Sequence, residues 1–429
     1  MTSTTPRKRT VNGYPLYCVT TDRFKTNILT VSFTFKGDYD LSPARSLLFG
    51  VLKHGSARYP SQRLINLRLE ELCDTDLSVR NEIYGPWQGL SVCAEFLDAA
   101  FAPPKTDLVR SVLELIAGLL YGPVLGADGN LDAGFVGRER EILLDALDTE
   151  QKSPRSYAAR RCRELLCRRD GYDVSALGNE TVLKRPDGPF LTDLWRRELC
   201  LASPSFFYVG SADPADVAEK IGSVFAPIAA KRDTLEMPPY KLPKEIGTCT
   251  EERNVRQSVL ALGFRSPRTI KDPEIFALML ANELLGVCPS SRLFMNVREK
   301  YGNCYDCTSY LDLYAGVLAV MAGTGAGSVR KVRHAIETEV KSLAKGDFSQ
   351  TELEDARASL LSAYLQIGDE PASIEAYWNG RIRAGVLTTV RQTASGIRAV
   401  RREDVVRAFA ELVPGACCQI LGREDSDET

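Results

Sequence analysis

The sequence predicts an α+β fold built from two homologous α/β-sandwich units, each an antiparallel-rich sheet covered by helices. Three observations carry this: short strand-like runs alternate with long helical patterns, the two halves repeat one order of elements, and a proline-bearing connector separates them. The units are expected at residues 1–230 and 248–429. The connector, 231–247, contains Pro238, Pro239 and Pro243 without helical periodicity, which reads as an extended linker.

Each half opens with a β-branched or apolar run, Ile28–Phe35 in the first and Ser258–Phe264 in the second. An apolar helical stretch follows, Pro43–His54 and then Pro273–Leu285. Next comes a helix carrying Arg-Leu near its start, Arg63-Leu64 and Arg292-Leu293. Two strand-like segments come after it, the second being Gly89–Ala94 in one half and Gly316–Ala322 in the other. Helical patterns close the first half at Phe135–Asp148, Tyr157–Arg168, Pro189–Leu199 and Ala215–Phe225, with a strand at Phe206–Gly210. In the second they cover Val329–Leu343, Ser349–Ile367, Ser373–Ala384 and Arg402–Leu412, before a last strand at Cys417–Leu421.

Composition narrows the function. With 429 residues, 44% hydrophobic and 26% charged, the chain has the balance of a globular protein. A formal charge of -2 offers no field for nucleic acid or an anionic membrane, and Arg160-Arg161, Arg168-Arg169 and Arg401-Arg402 read as solvated helix faces. No window has the apolar length of a signal peptide or a membrane span, so the expected location is the cytoplasm, with reduced thiols. The twelve cysteines are spread widely. Cys304-x-x-Cys307 has no second pair at matching spacing, so buried thiols are a better reading than a metal site. Only two histidines occur, His54 and His334, which excludes chemistry that needs a close histidine pair. The glycine-rich Gly323–Gly327 lacks the Gly-Lys-Ser/Thr ending of a phosphate loop.

One stretch is specific. From Ser290 to Tyr305 the chain reads Ser-Ser-Arg-Leu-Phe-Met-Asn-Val-Arg-Glu-Lys-Tyr-Gly-Asn-Cys-Tyr. This resembles the pattern S-S-R-L-F-x-x-V-R-E-x-x-G-x-x-Y of the pitrilysin/insulinase-type metallopeptidases. Gly55–Pro60, Tyr172–Glu180 and Phe207–Asp213 are similar to segments that the family places in its first unit. The resemblance implies two such units forming one half-shell of a clamshell-like peptidase. It also implies zinc held by an inverted H-x-x-E-H motif, two histidines four apart on one helical face with a glutamate as base.

At the matching positions this chain has Ser46, Phe49 and Gly50. The family's third ligand, a glutamate seven residues beyond an E-R pair, falls on Ala146 after Glu139-Arg140; Asp145 is one residue off, about 100° around a helix. None of the four residues can serve as the family's ligand or base, and this chain is expected to bind no cofactor. The run around Phe49 reads as a core helix, and Glu139 as a helix N-terminal charge or an outer relic of the lost site.

Arg298 and Tyr305 are retained. The resemblance implies that such a pair acts in trans on a zinc site in the opposing half-shell, holding the peptide and donating to the oxyanion. A planar guanidinium and a directed phenol suit that task. The implied protein is the non-zinc subunit of a heterodimer. Its partner would be a homologous H-x-x-E-H subunit carrying zinc, and its substrate a peptide bound by strand addition. The glycine-rich loop of mitochondrial processing partners is replaced by the short Leu284–Ser291, which points to a bacterial pair. The competing reading is a structural or peptide-binding pseudo-peptidase, in which Arg298 pairs with a neighbouring carboxylate and Tyr305 is half-buried core.

Overall fold

The structure, a computed structural model, describes residues 5–168, 170–226, 241–300, 302 and 304–422. Its fold is α+β, with two mixed sheets each flanked by helices. In the first sheet, β1 (Arg7–Val11) and β2 (Tyr14–Thr20) form a hairpin. Asn12 and Gly13 turn it with φ of 50° and 87°, the left-handed pair that matches the twist of a two-residue hairpin. The other strands are β3 (Thr26–Lys36), β4 (Asp76–Tyr84), β5 (Trp87–Leu97) and β6 (Ser205–Gly210). The second sheet contains β7 (Gly247–Glu252), β8 (Ser258–Arg265), β9 (Cys304–Asp312), β10 (Val317–Thr324) and β11 (Val413–Leu421).

The strand orders are β1-β2-β6-β3-β5-β4 and β7-β11-β8-β10-β9. With β1 set aside, the two are the same order. The parallel pair is also the same, β2 with β6 and β7 with β11, and every other neighbouring pair is antiparallel. The repeated order of elements in the sequence therefore corresponds to a repeated topology.

Two compact units account for the described residues. One draws on Met1–Leu147, Val174–Met237 and Ile367–Arg383; the other on Asp148–Asp173, Pro238–Gln366 and Ala384–Thr429. In the first, the helices Leu41–Leu52 and Leu108–Tyr121 bury apolar faces with β3 and β5 in one core. The helix Pro371–Arg383 joins this unit: Arg80 and Glu375 pair at 2.8 Å, and a Cβ on Gly89 would lie 2.2 Å from Arg383 Nη1. In the second unit, the core lies under the helices Ile275–Asn282, Val329–Ala344 and Arg402–Ala410. The helix Pro154–Cys167 packs on β8 and β11, close enough that a Cβ on Gly263 would come within 2.9 Å of Cys162 Sγ.

Within the expected connector, residues 231–240 lie outside the described residues. Residues 241–246 are in neither helix nor strand, and Gly247 opens β7. The helix expected over Pro273–Leu285 is shorter: it runs as α-helix from Ile275 to Asn282, then widens into a π-turn, Glu283–Val287, where Gly286 leaves helical geometry (φ -156°, ψ 19°). Strands β1, β2 and β7 and the helices Leu108–Tyr121 and Val390–Ala399 are additions to the expected elements.

Candidate functional site

The positions matching the family's metal motif lie on the helix Leu41–Leu52, whose residues from Ser42 to Leu52 are all buried. Ser46 is part of a closed polar knot. Its Oγ lies 2.8 Å from Ser42 O and 2.7 Å from Ala176 O, and one hydroxyl hydrogen serves these two acceptors. The same oxygen accepts from Asn81 Nδ2 at 2.5 Å and Gln88 Nε2 at 3.2 Å. Gln88 Nε2 further reaches Ser42 O at 2.9 Å and Asn81 Oδ1 at 3.0 Å. Phe49 is 2% exposed, edge-to-face on Phe33 with ring centroids 5.8 Å apart.

Gly50 is where the replacement becomes structural. A Cβ there would stand 2.1 Å from Glu139 Oε1, so the space of a side chain at position 50 already holds the Glu139 carboxylate. Glu139 is 2% exposed. It accepts from Lys53 Nζ at 3.0 Å on Oε1 and from His54 Nε2 at 2.8 Å on Oε2. The expectation of a helix N-terminal charge is corrected here: Glu139 sits beyond the first turn of the helix Ala133–Lys152, inside the unit, bonded to Lys53 and His54. Ala146, farther along that helix, is exposed, as is Asp145. Ser46, Phe49, Gly50 and Ala146 do not fit a zinc ion: they offer one hydroxyl, already saturated, and no carboxylate or imidazole. Among the described residues no group of three or more His, Cys, Asp or Glu side chains is placed to hold a metal.

Arg298 and Tyr305 occupy a different kind of place. Arg298 lies near the end of the wide π-helical segment Leu293–Lys300. The segment closes on Gly302, at φ 59°, whose N–H donates to Arg298 O at 3.0 Å; glycine takes this left-handed conformation without a Cβ clash. The Arg298 guanidinium stacks over the Phe294 ring, 4.7 Å from its centroid, and lies 3.6 Å from the Glu299 carboxylate. Both partners of that ion pair are solvent-exposed, so water screens it and its contribution is about 0–1 kcal/mol. Tyr305 is 62% exposed rather than half-buried.

The register of β9 explains that exposure. Thr324 pairs with Cys304 and Gly323 with Asp306, so Tyr305 is the extra residue of a β-bulge. In a regular strand Tyr305 and Cys307 would share a face. The bulge instead buries Cys304 and Cys307 and leaves Tyr305 outward. Bulges re-aim single side chains in this way and are over-represented beside active sites. The two thiols are mutually engaged: the hydrogen bond from Cys307 holds the Cys304 thiol below its ordinary range, while the same bond and burial push Cys307 up. Nothing in short-range sequence spacing reveals this bulge, nor the Glu139–Lys53–His54 cluster; each depends on which strand or helix lies opposite.

The chain resembles several known proteins. Residues 204–360 match the family described as "Peptidase M16 inactive domain". The chain is 24% identical over 406 residues to the "Probable inactive metalloprotease YmfF" of Bacillus subtilis, covering 93% of this chain and 94% of that protein. It is 28% identical over 194 residues to the "Uncharacterized zinc protease YmxG" of the same organism, 44% of this chain and 46% of that one. The fold matches the crystal structure of a conserved protein from Enterococcus faecalis with a TM-score of 0.89 at 21% identity, covering 99% of this chain and all of that one. Among the described residues, no helix is long and apolar enough to cross a membrane.

Proposed function

We propose, from the premise that this chain belongs to the M16 (pitrilysin/insulinase-like) metallopeptidase family and holds its inactive domain, that it is the non-zinc subunit of a heterodimeric peptidase. A homologous chain with an intact H-x-x-E-H motif supplies the zinc. This chain supplies Arg298 and Tyr305, which hold the peptide and donate to the oxyanion that forms as its carbonyl is attacked. The work is done in a bacterial cytoplasm on short or unfolded peptides.

The observation that carries the proposal is the asymmetry between the two places where the family keeps chemistry. Selection for packing alone accounts for Ser46, Phe49 and Gly50, which are buried and satisfied. Packing does not account for a bulge that turns a tyrosine out to 62% exposure, or for an arginine that, among the described residues, is held by a solvent-screened carboxylate and a ring stack. A guanidinium so weakly engaged is available to a new acceptor at little cost, and a phenol on a bulged strand keeps its direction. The outer edges of the sheets, β4 in the first and β9 in the second, are where an extended peptide can add main-chain hydrogen bonds.

The test is reconstitution. The chain and its zinc-bearing homologue, each purified alone, are assayed on a quenched peptide library separately and mixed. Cleavage is expected only in the mixture. Arg298→Ala or Tyr305→Phe is expected to lower the kcat of the mixture by about 10²–10³, the usual cost of one oxyanion donor. Full activity in the mixture with both variants would reduce this chain to a scaffold. Zinc retained in stoichiometric amount by the isolated chain would overturn the reading altogether.

A further inference from the structure

We propose that Cys249 and Cys418 are a reversible dithiol–disulfide site in the second unit, oxidised by hydroperoxides and returned by a dithiol reductant. The two residues are direct partners in the parallel pairing of β7 with β11, so both side chains leave the sheet on one face. Cys249 is close enough to Cys418 to help push its thiol up. Neighbouring strands stand about 4.8 Å apart, within the ~4.4–6.8 Å that a disulfide spans between Cα atoms. In-register Cβ atoms of parallel neighbours keep about that spacing, wider than the ~3.8 Å a relaxed bridge prefers, so closing the bond draws the strands together. Strained bridges of this kind are the reducible ones.

The surroundings divide the labour. Cys418 is fully buried, and burial pushes its thiol up. Cys249 is half-buried on β7, the edge strand of the sheet, where a small oxidant reaches it. The Arg161 guanidinium, from the helix Pro154–Cys167, lies near enough to the Cys249 sulfur to interact with it electrostatically. The Cys249 thiol donates to Glu251 Oε1 at 3.5 Å, and that carboxylate is also tied to Tyr157 at 2.7 Å and Arg253 at 2.9 Å. Cys162, from the same helix, lies on this face too, with burial pushing its thiol up to about 12.

The chemistry balances in two steps. The Cys249 sulfur attacks the outer oxygen of a hydroperoxide: an S–O bond forms, the O–O bond breaks, and the leaving oxygen departs as an alcohol or water with the thiol proton. Cys249 is now a sulfenic acid. The Cys418 sulfur attacks it, an S–S bond forms, the S–O bond breaks, and hydroxide leaves with the Cys418 proton as water. A dithiol reductant returns both thiols and is itself oxidised to a disulfide.

The experiment titrates the full-length protein with hydrogen peroxide, alkylates the remaining thiols and maps peptides without reduction. The expected product is one cross-linked peptide pair joining Cys249 to Cys418 within a chain, lost on treatment with dithiothreitol and retained in Cys162→Ser. Cys418→Ala is expected to leave Cys249 as a sulfenic acid that dimedone captures. Cys249→Ser, a change on a half-buried edge strand, is expected to abolish the cross-link while the circular dichroism spectrum stays unchanged. Alkylation of both thiols after peroxide, a bridge to Cys162 instead, or a bridge only between chains would each overturn the assignment.

Discussion

The helix Leu41–Leu52 and the stretch carrying Arg298 and Tyr305 are the two places where the sequence resemblance puts reactive side chains, and in this chain they differ in opposite physical directions. On the helix, the positions matching the motif are closed. Ser46 became the hub of four hydrogen-bond contacts, Phe49 an aromatic packing unit, and the room beside Gly50 was taken by the Glu139 carboxylate. Around Arg298 and Tyr305 no such closure is present among the described residues. Arg298 and Tyr305 remain exposed, and the backbone around them keeps a left-handed glycine and a bulge. The first set of positions is filled by packing and hydrogen bonds; the second is open to solvent.

The contrast can be broken most severely at Glu139. Replacing Glu139 with Ala strips the acceptor from buried His54 and from Lys53, which is 37% exposed, and is expected to cost about 3 kcal/mol, the low end for breaking a buried pair because Lys53 reaches water. Urea unfolding monitored by tryptophan fluorescence reads this directly, and a cost near zero would mean that the cluster is not a packing element. Next comes Gly50→Ala. The added methyl collides with Glu139 unless that side chain moves, for an expected loss of about 1–3 kcal/mol in the same assay. An unchanged midpoint would show that position 50 is still open.

Ser46→Ala removes an acceptor shared by Asn81 and Gln88, and about 1–2 kcal/mol is expected because those amides retain other contacts. The smallest effects sharpen the other half of the comparison. Arg298→Ala and Tyr305→Phe are each expected to change stability by under about 0.5 kcal/mol, as exposed positions do. If either one unfolds the chain at markedly lower urea, its side chain is structural and the contrast between the two regions fails.

Much of the architecture was legible along the chain. The strand runs that became β3, β5, β8 and β10 are apolar and β-branched because central strands are buried on both faces. Strands β1 and β7 carry little sequence signal because they are polar edge strands, mostly exposed or half-buried, where little hydrophobic pattern is required. The helix Leu108–Tyr121 is a different case: Leu108, Val109, Val112, Leu113, Ile116, Leu119 and Leu120 are buried at helical spacing, and the signal was present in the residues. At the candidate site, the identities of Ser46, Phe49, Gly50, Ala146, Arg298 and Tyr305 could be read by position. The Tyr305 bulge could not, because register is a property of two strands.

What the sequence by itself determined is what depends on residue type: an α+β pattern repeated twice, and a motif position without imidazole or carboxylate, since no packing can make phenylalanine or glycine a metal ligand. Only the tertiary structure decided what depends on partners from afar. It put Glu139 in the space beside Gly50, gave the helix Pro371–Arg383 to the first sheet and Pro154–Cys167 to the second, and turned Tyr305 outward. The physical reason is that burial, hydrogen-bond saturation and strand register are set by which surfaces meet, and segments far apart in the chain meet only once it has folded.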